Sequence, residues 1–167
     1  VLLAELLSGV VLYQLASPGC SLISAVGAGV ADMRTGLYLA GTPECGLINV
    51  VGVEMSHFYG LPVCGSAITA DAKVSDHQAG AEGMLTGMAC ALAGADSMLA
   101  FGLVDGAQSV SLAKTVLDCD TVGALRRLVQ DTEVGAAEAL VDDLIEVGIG
   151  GHYLARRSTR ERSRSGE

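Results

Sequence analysis

Residues 61–80 read LPVCGSAITADAKVSDHQAG and decide the fold class of this chain. The apolar run at 61–64 is typical of a short buried strand, and the residues from Asp76 onward are typical of a helix. A polar loop of small residues, 65–75, lies between them. A strand, a loop and a helix in this order predict one β/α unit, and therefore an α/β fold.

The loop at 65–75 has two interpretations. It places Lys73 close in sequence to Asp71 and Asp76, and a cation beside carboxylates can hold a polar ligand. Alternatively, Ser75 with Gln78 three residues later fits a capping box, in which side chains satisfy the free amide groups at a helix start. From these residues alone, a ligand site and a capped surface turn both remain open.

The same order of elements recurs on both sides of this unit. Helices are predicted near residues 1–16, 42–59, 76–92, 110–130 and 136–147, and strands near 20–26, 61–64 and 97–101. The clearest helix start is Thr42-Pro43-Glu44, which supplies a capping hydroxyl, a proline at the first helical position and a carboxylate in the first turn. Strands joined by helices predict a parallel sheet with right-handed crossovers.

The composition fits one domain with a heavily buried core. The chain has 167 residues, of which 50% are hydrophobic and only 17% are charged. A chain of this length can bury a sizeable core. Because the predicted first helix begins at Val1 without a capping residue, we expect the chain to be a truncated piece of a longer protein.

Charge is unevenly distributed along the chain. The formal net charge is −9, but five of the ten basic residues and only two of the nineteen acidic residues lie in 156–167, which leaves −12 for residues 1–155. An acidic body argues against a nucleic-acid surface. The basic tail, RRSTRERSRSGE, has no aromatic residues and is predicted to be disordered.

Cysteine spacing and hydropathy limit the protein class. The five cysteines and three histidines are too scattered for a disulfide framework or a zinc site, so we expect reduced thiols in a cytoplasmic protein. Residues 6–31 carry no charge and are long enough to span a membrane. Because Pro18 and Gly19 interrupt them, a helix, a tight turn and a strand describe this segment better, and no membrane span is expected.

Parallel β/α arrays bind ligands at the C-terminal ends of their strands. This rule selects three loops here, at 27–41, 65–75 and 102–109. None of them contains a dinucleotide fingerprint, a phosphate-binding P-loop or the G-x-S-x-G turn of serine hydrolases. The sequence therefore predicts a ligand site that uses neither a nucleotide nor a serine nucleophile.

Seven motifs run through nearly the whole chain. They are ADMRTG (31–36), GTPE (41–44), YGLPV (59–63), TADAKVSDHQAG (69–80), ALAGAD (91–96), LDCDTVGALRRLV (117–129) and EVGIGGHYL (146–154). With these motifs in this order, the chain resembles the C-terminal part of the trimethylamine methyltransferase family. The resemblance implies that residues 1–155 form roughly the C-terminal half of a (β/α)₈ TIM barrel, inactive alone.

The resemblance also implies a reaction and its partners. Members move a methyl group from a tertiary or quaternary amine, trimethylamine or a betaine, to the cobalt of a corrinoid protein. The corrinoid (cobalamin) is carried by that partner, so no directly bound cofactor and no metal are expected in this chain, and a homo-oligomer is expected. Trimethylamine-specific members carry pyrrolysine. This sequence has only standard residues, which makes the quaternary-amine members the nearer analogy.

Under this resemblance, the catalytic candidates are Asp71, Lys73 and Asp105, and the substrate-binding candidates are Arg34, Met33, Ser66, Phe101 and Gln78. A betaine carboxylate would pair with Arg34 or Lys73. A quaternary ammonium group would face Phe101 or a carboxylate, although core packing is an equal interpretation for Phe101. The alternative function is a non-catalytic ligand-binding or scaffold protein derived from a barrel.

Overall fold

The computed structural model describes residues 1–130 and 137–165. The chain divides into two compact units, 1–130 and 131–167, and each is described by itself. The predicted domain limits, 1–155 and 156–167, stay predictions.

The first unit contains four helices and seven short strands. The helices are α1 (Leu2–Ala16), α2 (Pro43–Phe58), α3 (His77–Leu92) and α4 (Leu112–Val129). The strands are β1 (Ser24–Val26), β2 (Val30–Ala31), β3 (Tyr38–Leu39), β4 (Val63–Ser66), β5 (Ser97–Leu99), β6 (Leu103–Val104) and β7 (Ser109–Val110).

The three strands predicted from apolar runs form one parallel sheet in the order β1-β4-β5. Val26 pairs with Gly65, which pairs in turn with Met98, so these three residues share one face. The predicted α/β class and the parallel arrangement are confirmed. β1 and β5 are shorter than predicted, whereas β4 has the predicted length but begins two residues later, at Val63.

Helices pack on the sheet face that carries Val26 and Gly65. Val26, Val63 and Val53 of α2 form a buried cluster on this face. Glycines allow the close approach, since a Cβ on Gly65 would lie 2.9 Å from the sulfur of Cys90 in α3. On the opposite face, the sheet presents four small side chains and one leucine.

Five residues form this opposite face. Ala25 and Ser97 are exposed, and Cys64 and Ser66 are partly exposed. Leu99 is 40% exposed. One face of the sheet is therefore the core and the other is open.

Both predicted helix starts are confirmed, but one of the two predicted caps does not form. The Thr42 hydroxyl accepts a hydrogen bond from the Cys45 amide at 3.3 Å, as the Thr-Pro-Glu pattern predicts. The predicted Ser75 cap of α3 does not form, because the carboxylate of Asp76 occupies the N-cap position and accepts from the Ala79 amide at 3.1 Å.

Two of the predicted loops contain antiparallel hairpins that the sequence did not indicate. β2 pairs with β3 inside the loop after β1, and β6 pairs with β7 inside the loop after β5. Asp105 and Ala107, both non-glycine residues at positive φ, turn the second hairpin together with Gly106. Ala107 rarely adopts this conformation, whereas Asp105-Gly106 is a common turn pair and was the available signal for this hairpin.

The second unit contains α5 (Ala137–Val147) and α6 (Arg157–Ser165). The predicted helix at 136–147 is found apart from residue 136, which lies outside the described residues. Within the basic tail at 156–167, Arg157–Ser165 form α6, Arg156 precedes this helix, and the last two residues also lie outside the described residues. Arg156, which immediately precedes α6, donates hydrogen bonds to the carboxylates of Asp143 and Glu146 in α5.

Within the described residues, no helix is both long and apolar enough to cross a membrane.

Candidate functional site

The three predicted loops meet at the C-terminal ends of the parallel strands. We call residues 40–41, 68–73 and 102–106 the strand-end layer. Backbone hydrogen bonds join its second and third parts: the Ala70 amide donates to the Leu103 carbonyl at 3.2 Å, and the Gly106 amide donates to the Ala70 carbonyl at 3.1 Å. A further bond runs from the Asp105 amide to the Ala72 carbonyl at 2.9 Å.

Asp71 ties the first part of this layer to the second. Its two carboxylate oxygens accept hydrogen bonds from the amides of Ala40, at 2.7 Å, and Gly41, at 3.0 Å. The neighbouring Thr69 hydroxyl donates to the Ala40 carbonyl at 3.2 Å. Because both oxygens of Asp71 serve backbone amides, the contacts favour a structural role over the predicted catalytic one.

Glu82 supports the layer from α3, and sequence reasoning missed it. One carboxylate oxygen accepts from the amides of Asp71, at 2.7 Å, and Ala72, at 3.1 Å. The other accepts from the side-chain amide of Gln78 at 2.7 Å. Gln78, a predicted substrate-binding residue, therefore holds Glu82. The spacing of four residues between Gln78 and Glu82 was the available signal.

Lys73 and Asp105 form an ion pair between two loops of the layer. The Lys73 side chain is 72% exposed and that of Asp105 is 30% exposed. The structure thus brings together two of the three predicted catalytic residues, and it leaves their charged groups accessible at the end of the sheet where ligands bind in parallel β/α proteins.

A second ion pair, Lys114–Asp118, is buried below the layer and was also missed. The Lys114 side chain is 2% exposed, and its Nζ donates to the Ile68 carbonyl at 2.5 Å and to both oxygens of Asp118, at 3.0 and 2.8 Å. Asp118 also accepts from the Gly102 amide at 2.7 Å. Ile68 is a β-branched residue at φ +69°, a strained conformation of the kind that clusters at functional sites.

Beside the layer, the pKa values of the partly exposed Tyr38 and the buried Cys45 are raised. Partial burial, followed by repulsion from the ionised forms of Cys45 and Asp71, raises the pKa of Tyr38. Burial, followed by the charge of Asp71, also raises the pKa of Cys45, whose thiol donates to the Ala28 carbonyl at 2.9 Å. Both groups therefore stay neutral at physiological pH and can act as weak hydrogen-bond donors.

Comparison with known proteins identifies the family. The family model described as trimethylamine methyltransferase matches residues 1–166. The chain belongs to the trimethylamine methyltransferase family. The predicted resemblance is thereby confirmed.

Curated relatives of the trimethylamine methyltransferase family agree with this match. The chain is 34% identical over 95% of its length to the trimethylamine methyltransferase of Methanosarcina thermophila, and 35% identical over 95% to that of Methanosarcina barkeri. It is also 32% identical over 95% to a glycine betaine methyltransferase of Desulfitobacterium hafniense. The chain covers 33%, 32% and 33% of these three relatives, and so spans about a third of their length.

Among the remaining predicted site residues of this family member, Arg34 and Met33 are exposed in the turn between β2 and β3. Asp32 shapes this turn by accepting from the Arg34 amide at 2.9 Å and the Thr35 hydroxyl at 2.7 Å. The hydrogen bond of Arg34 lies within the turn, and no hydrogen bond joins Arg34 to Lys73.

Ser66 and Phe101 lie in different surroundings. Ser66 is partly exposed on the open face of the sheet. Phe101 lines a cavity of about 410 Å³ with Met98, Val122 and Leu125, on the side where α4 packs. The packing interpretation of Phe101 therefore fits its position better than a role beside Lys73.

The described residues contain no cluster of three or more histidine, cysteine or acidic side chains arranged to hold a metal ion.

Proposed function

We propose that this chain is part of an enzyme that transfers a methyl group from a tertiary or quaternary amine to the cobalt of a corrinoid protein. The observation that carries the proposal is the family match over residues 1–166. The names of the relatives, trimethylamine and glycine betaine methyltransferases, support an amine as the methyl donor. The corrinoid would supply the nucleophile from a partner protein, and we assign it no residue of this chain.

We further propose that β1, β4 and β5 are neighbouring strands of a (β/α)₈ barrel. Helices cover one face of this sheet, while Ala25, Cys64 and Ser97 on the other face are exposed or partly exposed. In a barrel, the open face would line the interior, and the free edges of β1 and β5 would pair with further strands. Apart from Leu99, the side chains on that face are small and leave room for a ligand.

In this proposal, Lys73 and Asp105 bind and orient the substrate. The exposed ammonium group of Lys73 can pair with the carboxylate of a betaine, and Asp105 can then face the positively charged nitrogen. The N–CH₃ bond would break with its electron pair remaining on nitrogen, so this chain needs to provide orientation rather than a nucleophile. A betaine fits these two charges better than trimethylamine, which has no carboxylate.

One observation favours the alternative of a non-catalytic ligand-binding or scaffold protein. The carboxylates of Asp71, Glu82 and Asp118 all accept hydrogen bonds from backbone amides, and so serve the structure of the layer. Under this alternative, the Lys73–Asp105 pair would bind a ligand without turnover.

We also propose that the protein forms homo-oligomers and is cytoplasmic. Homo-oligomer formation is supported by exposed apolar residues on α1, such as Leu12 and Leu15, which are 67% and 76% exposed. A cytoplasmic location is supported by the five free cysteines, since reduced thiols persist in reducing compartments.

The test is methyl transfer to cob(I)alamin, free or bound to a corrinoid protein, by the protein produced at the length that its gene encodes. Trimethylamine, glycine betaine, proline betaine and carnitine are compared by following the cobalamin absorbance. We expect transfer with at least one of the betaines. Absence of transfer from all four amines, with a well-folded protein, would favour the scaffold alternative.

The variant Lys73→Ala tests the site. We expect methyl transfer to fall at least about tenfold, a loss of about 1.4 kcal/mol of transition-state stabilisation. The melting temperature should hardly change, because an exposed ion pair contributes little to stability. Arg157→Ala is the matched control, since it removes another exposed ion pair, to Glu161, outside the layer. A fully active Lys73→Ala protein would remove Lys73 from the site.

A further inference from the structure

The buried ion pair of Lys114 and Asp118 lies at the base of the two loops whose tips carry Lys73 and Asp105. We propose that Lys114 and Asp118 are positioning residues, which hold both loop bases and thereby fix the exposed pair in the geometry that a ligand requires. This inference rests on the proposed function for its catalytic consequence, but its structural part can be tested without any activity.

The contacts of the pair divide between the two loops. Nζ of Lys114 donates to the Ile68 carbonyl at 2.5 Å, at the start of the loop after β4. The Asp118 carboxylate accepts from the Gly102 amide at 2.7 Å, at the start of the loop after β5. Because the two side chains also bond to each other at 2.8 and 3.0 Å, they link the loop bases through α4.

The loop base at Ile68 has a backbone conformation that needs support. Ile68 has φ +69°, whereas Gly102, at φ +76°, adopts such a conformation without strain. An L-residue with a β-branched side chain at positive φ persists only when its surroundings hold it there. At Ile68, the amide donates to the Thr86 hydroxyl at 3.2 Å, and the carbonyl accepts from Lys114. Loss of Lys114 would remove one of these two supports.

Few residues separate the loop bases, Ile68 and Gly102, from the exposed ion pair. Lys73 follows Ile68 by five residues, and Asp105 follows Gly102 by three. The backbone hydrogen bonds of the strand-end layer join the two loops along this path. A shift at either base would therefore move both tips, and with them the charges of Lys73 and Asp105.

Stability and positioning can be separated experimentally. Buried ion pairs can often be replaced by apolar side chains of similar volume without a large loss of stability, whereas removal of one partner leaves an uncompensated buried charge. The double variant Lys114→Met/Asp118→Leu is therefore the main probe. Val53→Ala is the matched control, because it removes a buried contact from the α2–sheet core and touches neither loop.

The first measurement is amide hydrogen exchange, followed by mass spectrometry, on the protein produced at the length that its gene encodes. In the double variant, we expect exchange at 68–73 and 102–106 to rise at least about tenfold, which corresponds to about 1.4 kcal/mol of local opening free energy, while α2 stays protected. In Val53→Ala, we expect a lower melting temperature with no selective change in the layer.

The second measurement is methyl transfer, with kcat and KM determined for whichever amine the wild-type protein uses. We expect the double variant to lose at least about tenfold in kcat/KM. Val53→Ala should retain wild-type kcat/KM at a temperature where it is folded. Lys114→Arg keeps a cation opposite Asp118 and should restore part of the lost activity, which a merely structural role of the pair would not require.

Each outcome decides the inference. Wild-type protection of the layer in the double variant would overturn it, as would an equal loss of activity in Val53→Ala at matched stability. If the double variant fails to fold, Asp118→Asn alone, which removes the charge that holds Lys114, should show raised exchange confined to 68–73 and 102–106, and unchanged exchange there would overturn the inference. If the wild-type protein transfers no methyl group, the proposed function fails, but the exchange measurement still decides the positioning role.

Discussion

Gly52 of α2 lies against Val26 of β1 so closely that a Cβ at position 52 would overlap Cγ1 of Val26 and lie 3.0 Å from its Cγ2. Val26 is 1% exposed and cannot move aside without disturbing its cluster. We therefore expect Gly52→Ala to lower the free energy of unfolding by about 1–3 kcal/mol, the usual cost of overpacking a core. Urea denaturation measures this change.

The control for this prediction is Gly80→Ala in α3. A Cβ at Gly80 would meet nothing within 4 Å. An alanine in an open helical position reduces the entropy lost on folding, so a gain of about 0.5–1 kcal/mol is expected. Equal destabilisation by the two variants would show that close packing at Gly52 is not the cause.

Asp71→Ala should lower the free energy of unfolding by about 1.5–3 kcal/mol, because the amides of Ala40 and Gly41 lose a charged acceptor. Asp71→Asn keeps one acceptor oxygen and should lose less. Thermal unfolding measures both variants. A variant at position 71 with full stability but no methyl transfer would instead restore the predicted catalytic role of Asp71.

The carboxylate of Asp96 should contribute to the acid sensitivity of the fold. The Val63 amide, which donates to it at 2.8 Å, and then the hydrogen bond from His57 lower the pKa of Asp96. A group whose pKa is lower in the folded state stabilises the protein above its unfolded pKa, and this stabilisation is lost as the pH falls through the folded pKa. Unfolding free energies measured from neutral to acidic pH should therefore fall less steeply in Asp96→Asn. An unchanged slope would rule out this linkage.

The cysteines should differ in reactivity. Burial raises the pKa of Cys90 to about 11, so its thiol remains protonated at neutral pH, whereas Cys119 is exposed. The thiolate is the reactive form. Iodoacetamide treatment of the native protein, read by peptide mass spectrometry, should label Cys119 well before Cys90. Equal labelling would indicate that the α3 core opens readily.

The fold was predictable where local patterns and packing agree. Thr42-Pro43-Glu44 marks the start of α2, and the apolar run at 61–64 marks β4, because the same residues that favour the element also bury its face. The start of α3 was less predictable. Asp76 and Ser75 are both good capping residues, and tertiary contacts decided between them, since the Ser75 hydroxyl lies 3.1 Å from that of Ser111.

The site was predictable only in part. The rule that loops meet at strand ends brought Lys73 and Asp105 together correctly. The burial of Lys114 could not be predicted, because its acceptor Ile68 lies 46 residues away and no sequence pattern signals a carbonyl that faces inward. For Phe101, the sequence left two environments open, and its position beside Val122 and Leu125 of α4 favours packing.

The hydrogen bonds within the strand-end layer are largely donated by main-chain amides. The amides of Ala40, Gly41, Ala70 and Ala72 are held by carboxylates or carbonyls, whatever side chains they carry. Exposed residues that do not take part in these hydrogen bonds, such as Lys73, can therefore be substituted during evolution without destabilising the loops. A family built on such a layer could acquire a new methyl donor through very few substitutions, with its scaffold intact.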